Sequence, residues 1–189
     1  MIYFTSDTHF FHANVIDFCH RPFLTVDEMN DYLVEIWNLT VNENDTVYHL
    51  GDISFINQDD TSEIISKLKG KIYVAKGNHD GTGMLNKLKK DGLIEDWSVG
   101  YYLKHHKQQL WLTHIPLNIE ESRSRMWSVS GHIHDKPSEK YTQINVGVDS
   151  DLWKEVSSKR EFGQPYSIND ILEVTKARKR RIENAKSQT

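Results

Sequence analysis

The sequence predicts a layered α/β fold built on two β-sheets. Three observations carry that prediction. In the first half, short apolar runs alternate with amphipathic segments, the pattern of strands buried by helices. In the second half, strand-like runs crowd together with few helices between them, which calls for a second sheet packed on the first. Nearly every apolar run ends in polar residues, at the end where an open α/β sheet places its ligands.

Ile2-Tyr3-Phe4 reads as a short buried strand ending at Thr5-Ser6-Asp7. Residues 14–20 form one helical piece, broken by Arg21-Pro22-Phe23. Thr25 caps a longer helix running to about residue 40, with Glu28 completing a capping box. Met29, Leu33, Ile36 and Trp37 are its apolar stripe. After the turn at residues 42–45, residues 46–50 are a strand closed by Gly51-Asp52. Residues 59–68 make a helix that Gly70 closes, and residues 71–75 are the third strand. Residues 84–90 are a helix. Residues 97–106 and 108–114 are expected as neighbouring strands, and 127–130 and 143–146 as two more, each of these last two running into a glycine. Ser167 and Asp170 open a basic helix over about residues 167–186, with apolar contacts from Ile168, Ile171, Leu172, Val174 and Ile182. Lys176, Arg178, Lys179, Arg180 and Arg181 crowd its last turns. They are read as solvated charges suited to a helix C-terminus, the alternative being contact with an anionic substrate or nucleic acid.

With no repeat, linker or visible boundary, residues 1–189 are expected as a single domain. No stretch is long and apolar enough for a membrane span. The N-terminus lacks the basic region and cleavage site of a signal peptide. One cysteine, Cys19, allows no internal disulfide and no cysteine metal cluster, so a reducing, cytoplasmic setting is expected, with Cys19 a small buried apolar residue. Residues 1–60 carry eleven acidic side chains against Arg21 alone, a balance of −10 within a net charge of −4, so some of those carboxylates call for cations.

Five polar clusters follow apolar runs: Asp7-Thr8-His9, Gly51-Asp52, Gly77-Asn78-His79-Asp80, Thr113-His114 and Gly131-His132-Ile133-His134. Asp7 and His9, like His132 and His134, are two apart, which in extended backbone puts both side chains on one face. Asp52 can bridge two ions through its two oxygens, and Asn78 offers a neutral carbonyl oxygen. Seven candidate donors, three oxygen and four imidazole, exceed the needs of one ion. Two divalent transition-metal ions sharing a carboxylate are the economical solution, manganese first, with iron, zinc, nickel or cobalt as alternatives. His49 and His20 are read as core histidines, and His105-His106 as exposed near a turn.

The ordered set from Asp7 to His134, with Asn145-Val146-Gly147-Val148-Asp149 after it, resembles the calcineurin-like metallophosphoesterases. Residues 7–12 and Arg21-Pro22-Phe23 are similar to small bacterial and phage phosphoesterases. The resemblance implies a four-layer α/β/β/α sandwich of two mixed sheets flanked by helices. It implies one metal on Asp7, His9, Asp52 and His134, and a second on Asp52, Asn78, His114 and His132. It further implies attack by a metal-bridging hydroxide on a phosphodiester or phosphomonoester, with His79 stabilising the phosphate and protonating the leaving oxygen. Asp80 either orients His79 or shapes the turn. His12, Arg21, Arg123 and Arg125 are expected as substrate contacts, the arginines through their forked donors. The expected substrate is a small or nucleotide-like phosphate ester. A nuclease is the alternative, disfavoured by the net negative charge, and a catalytically silent scaffold of the same fold is the alternative of another class.

Overall fold

The computed structural model describes all residues except 56, 57, 121, 124, 158 and 187–189, and no side-chain placement for 58, 182, 185 and 186. In chain order its elements are β1 (Ile2–Thr5), α1 (Ala13–Phe18), α2 (Val26–Thr40), β2 (Thr46–His49), α3 (Gln58–Ser66), β3 (Lys71–Ala75) and α4 (Thr82–Lys90). They continue with β4 (Asp96–Ser98), β5 (Gly100–His105), β6 (Gln108–Thr113), β7 (Met126–Ser130), β8 (Gln143–Asn145), a 3₁₀ turn at Asp151–Glu155, β9 (Tyr166–Ser167) and α5 (Ile168–Lys186).

Both sheets are mixed. The first has the order β4-β3-β2-β1-β9, parallel except for β9, and the second the order β5-β6-β7-β8, parallel except for the β5–β6 hairpin. The sequence predicts one strand over residues 97–106. It is divided instead: Trp97 pairs with Val74 in the first sheet, and Gly100 opens the second. A glycine suits the start of β5, because a Cβ on Gly100 would be only 2.9 Å from the Leu112 carbonyl oxygen.

Two apolar clusters hold the layers. Met29, Leu33, Trp37, Ile64, Ile65, Leu85 and Leu88, from α2, α3 and α4, pack against Val47, Ile72 and Val74 on the outer face of the first sheet. Phe4, Leu50 and Ala75 face Leu110, Leu112, Trp127, Val129 and Ile144 across the space between the sheets. α5 adds Ile168, Ile171 and Val174 to that second cluster, closing the side where β9 and β8 are the edge strands. Helices therefore flank the sheet pair, and on the outer side of the second sheet Leu117 and Ile119 lie over β7 and the start of β8, bonded to Ser128, Thr142 and Gln143. Tyr102 and Trp111 stay partly exposed there, their rings 5.0 Å apart.

The caps form with a change of partner. Thr25 accepts from the Glu28 N–H at 3.2 Å, but the Glu28 carboxylate reaches the N–H of Leu24, not of Thr25. Ser167 and Asp170 make the reciprocal pair. On α5, Arg178 bonds the carbonyls of Tyr141 and Gln143 and pairs with Glu155, while Lys179 lies over the Trp127 ring. These two cations fasten the helix to the second sheet, and Lys176, Arg180 and Arg181 are exposed. The apolar contact expected of Ile182 lies outside the described side chains. No described helix is long and apolar enough to cross a membrane.

Candidate metal centre

Parallel pairing decides where the polar clusters go. β1, β2 and β3 run the same way, so Asp7, Asp52 and Asn78 leave one edge of the first sheet. β6 and β7 are also parallel, so His114 and His132 leave one edge of the second. The two edges meet. The Asp7 N–H donates to Gly51 and the His9 N–H to Asp52, extending the β1–β2 pairing past the strands. The His132 N–H reaches from the second sheet to the Asp7 carboxylate at 3.0 Å.

All seven candidate donors converge. Asp7, His9 and His134 present ligand atoms within 4.8 Å of one another, and so do Asp7, Asp52 and His114. Asn78 Oδ1 stands 2.8 Å from His114 Nε2 and 3.0 Å from His132 Nδ1. Asp52 lies between the groups, its Oδ2 3.3 Å from His114 Nε2 and 3.7 Å from His9 Nε2. Tautomers are set from outside. His114 Nδ1 meets the Leu50 carbonyl at 2.8 Å and His134 Nδ1 meets Asp149 at 3.1 Å, which leaves Nε2 of each ring turned inward.

The backbone corrects one expectation. Asp7 (φ 58°), His9 (φ 46°), Asp52 (φ 56°), His132 (φ 72°) and His134 (φ 52°) are left-handed, so the two-apart pairs do not share a face of extended chain. Each such residue costs roughly 1–3 kcal/mol, and here that cost is concentrated at one site. Close packing accompanies it. A Cβ on Gly131 would run into the Ser6 hydroxyl and the Asp7 carboxylate, and one on Gly77 would run into Asp52. Gly131→Ala should therefore cost about 1–3 kcal/mol and weaken metal binding. Gly81→Ser, where nothing lies within 4 Å of an added Cβ, should leave both unchanged in denaturant titration and metal analysis.

The donor set fits cations. Both ring nitrogens of buried His9 lack a hydrogen-bond partner, an arrangement that costs about 1–3 kcal/mol per group unless a ligand satisfies it. Burial pushes His9 down to about 3, so its imidazole is neutral and able to coordinate. Burial also pushes the Asp7 carboxyl up to about 6, a sign that its charge lacks full compensation from the protein. Burial opposes ionisation of Asp52 as well, yet the hydrogen bond with His114 holds it down at about 2. Hydrogen bonds to Asp149 and then Cys19 raise His134 to about 10.

Several expected roles change. Arg21 is buried and bidentate to Asp149 at 2.8 Å, and its remaining donors go to the carbonyls of Asp7 and Thr8 and to the Met29 sulfur. It has no free donor for a substrate and instead fixes the ligand loop. Arg125 sits at the amino end of β7, its carbonyl accepting from Gln109, with Arg123 just before it. His132 is seven residues further on, roughly 20 Å of strand away, so neither arginine reaches the centre. His12 does lie beside the site, its ring 5.6 Å from His9. Asp80 shapes the turn: its carboxylate accepts from the N–H groups of Gly77, Asp52 and Ile53. His20 is exposed, not in the core. His49 is buried, 3.0 Å from the Thr8 hydroxyl. Cys19 is half-buried with Sγ 3.4 Å from His134 Nδ1. The sequence alone assigned Asp149 no role, although like Asp52 it comes shortly after a strand and a glycine, here Gly147.

Two surfaces flank the centre. Beside Asn78 and His114 opens a cavity of about 390 Å³ lined also by Lys76, Val99, Ile115 and Leu117. On the opposite flank His79 is exposed, its ring 5.7 Å from His9 and 5.3 Å from Phe55.

Comparison with known proteins bears on the family and the fold. The family model described as calcineurin-like phosphoesterase matches residues 1–174. An uncharacterized protein of Methanocaldococcus jannaschii is 35% identical over 165 residues, covering 82% of this chain and 86% of that one. A solved structure of a protein of unknown function from Aquifex aeolicus shares the fold at TM-score 0.68 and 22% identity, covering 92% of this chain and 98% of its own. A novel archaeal phosphodiesterase is a weaker match, at TM-score 0.46 and 19% identity over 77% of this chain and 81% of that one.

Proposed function

This chain belongs to the calcineurin-like phosphoesterases, hydrolases acting on phosphoester bonds, and from that membership we propose that it cleaves small or nucleotide-like phosphodiesters at a two-cation centre. The observation that carries the reading is the position of Asp52, whose carboxylate faces both groups of donors. Asp7, His9, Asp52 and His134 would hold one cation, and Asp52, Asn78, His114 and His132 the other. Divalent ions bound there would supply Lewis acidity toward phosphoryl oxygens and a water acidified enough to act as nucleophile near neutral pH. The mixed nitrogen and oxygen donors suit manganese first, or iron, zinc, nickel or cobalt.

The chain's own residues do the rest. His79 follows a ligand, its exposed ring lying 5.7 Å from His9 and 5.3 Å from Phe55, while its backbone N–H is anchored to Asp52 Oδ1 at 2.9 Å. That leaves the imidazole open to the reacting phosphate, to donate a proton to the departing oxygen. Lys76 and the apolar walls of the neighbouring cavity leave room for a second ester substituent, which favours a diester over a monoester. Arg123 and Arg125 lie at the start of β7, away from the centre, and so do not supply phosphate contacts there, which makes a long nucleic acid the less favoured substrate. The single cysteine fits a reducing, cytoplasmic setting.

The test is a manganese-supplemented assay with a phosphodiester reporter, a phosphomonoester reporter, single-stranded DNA and RNA. The diester should turn over fastest. His79→Ala should lower kcat about 10²–10⁴-fold with bound metal retained. Protein that binds no transition metal and cleaves none of the four would sink the reading.

A further inference from the structure

Phe55 and Phe18 are large apolar side chains left 51% and 70% exposed on the flank of an otherwise polar centre. They belong to one aromatic group. Phe55 stacks on His12 with centroids 4.2 Å apart and planes 25° from parallel, and the His12 ring is 6.4 Å from Phe18. Phe55 also stands edge-on to His79 at 5.3 Å. Its backbone is tied to the ligand loop, the Phe55 N–H donating to the carbonyl of Phe10, the residue after His9. The ring's place relative to the donors is therefore set by the fold.

We propose that Phe55, backed by His12 and Phe18, is the platform that receives the planar aromatic ring of the leaving alcohol, the ring of an aryl alcohol or the base of a nucleoside that departs through its ribose oxygen. The inference rests on the reading of His79 as proton donor. A donor must touch the oxygen that departs, so the substituent on that oxygen extends from His79 over the nearest surface, and that surface is Phe55. When the phosphorus–oxygen bond breaks, the oxygen keeps the bonding pair and takes the proton, while water supplies the oxygen that replaces it on phosphorus. A flat ring on the open face of Phe55 continues the stack already begun with His12, an interaction that tolerates different bases because each presents a π-face. The Asn78 flank offers aliphatic walls with one lysine, so the two substituents of a diester meet different chemistry.

The experiment uses manganese-loaded protein and two ligands of equal charge without a scissile ester, naphthylmethylphosphonate and cyclohexylmethylphosphonate, measured by calorimetry. The wild type should bind the naphthyl compound about tenfold more tightly. Phe55→Ala should lose that preference and Phe55→Trp should keep it, both retaining metal content and thermal midpoint. A preference surviving in Phe55→Ala, or absent from the wild type while both ligands bind, would overturn the platform alone. Failure of both ligands to bind the manganese-loaded protein would also overturn the platform, whereas protein that takes up no manganese at all would overturn the hydrolase reading beneath it.

Discussion

Asp52→Asn should abolish turnover. The asparagine keeps one oxygen for the His79 N–H but has neither the charge nor the second anionic oxygen needed between the two groups of donors. Rate loss of a thousandfold or more is expected, about 4 kcal/mol of transition-state stabilisation. Bound metal should fall from two equivalents to one or fewer by elemental analysis. The fold should survive, because the backbone at Asp52 is held separately by the Asp80 carboxylate. A variant with both metal equivalents and near-normal rates would remove Asp52 from the bridging position.

Arg21→Met should give the largest loss of stability. The arginine and Asp149 are both buried, and the substitution leaves the carboxylate unpaired and the carbonyls of Asp7 and Thr8 without their donor. Breaking such a pair costs about 3–5 kcal/mol, a fall of about 10 °C in Tm for a chain of this size. Metal affinity should weaken as well, about 10–100-fold, because Asp149 orients His134. The acid dependence gives a second readout. Burial alone would raise Asp149, but His134 and Arg21 hold it below the usual carboxylate range. A lowered carboxylate contributes stability that is present above its unfolded value of about 4 and is lost as pH falls through its folded value. Without Arg21 that contribution shrinks, so the variant should lose less stability than the wild type on acidification below about pH 4. A Tm within about 2 °C of wild type would show that the pair is not structural.

The centre was legible in the sequence because its donors end strands, and a strand end is marked by neighbours. Gly51 before Asp52, Gly77 before Asn78 and Gly131 before His132 announce both the turn and the close approach. What stayed hidden depends on direction and distance. Arg123 and Arg125 lie between His114 and His132 in sequence, which suggested a loop beside the site. Because β6 and β7 are parallel, the connection must return to the far end before β7 begins, and the arginines are left there. Arg21 and Asp149 are 128 residues apart, and no local pattern joins them. β9 has two residues, too few for a period to show. The left-handed residues were missed because nothing in Asp-Thr-His distinguishes strained backbone from extended backbone before its surroundings are known.

The centre also takes its donors from both halves of the sandwich. Asp7, His9, Asp52 and Asn78 follow strands of the first sheet, and His114, His132 and His134 follow strands of the second. Cations gripped from both sides would act as rivets between the halves, so filling the site and docking the sheets become one coupled equilibrium. Any ion that binds only the assembled form adds RT ln(1 + [ion]/Kd) to its stability, about 2.7 kcal/mol at a hundredfold excess over Kd. The cohesion of the two sheets would then vary with the metal supply of the surroundings, making persistence of the fold a gauge of the same resource that catalysis requires.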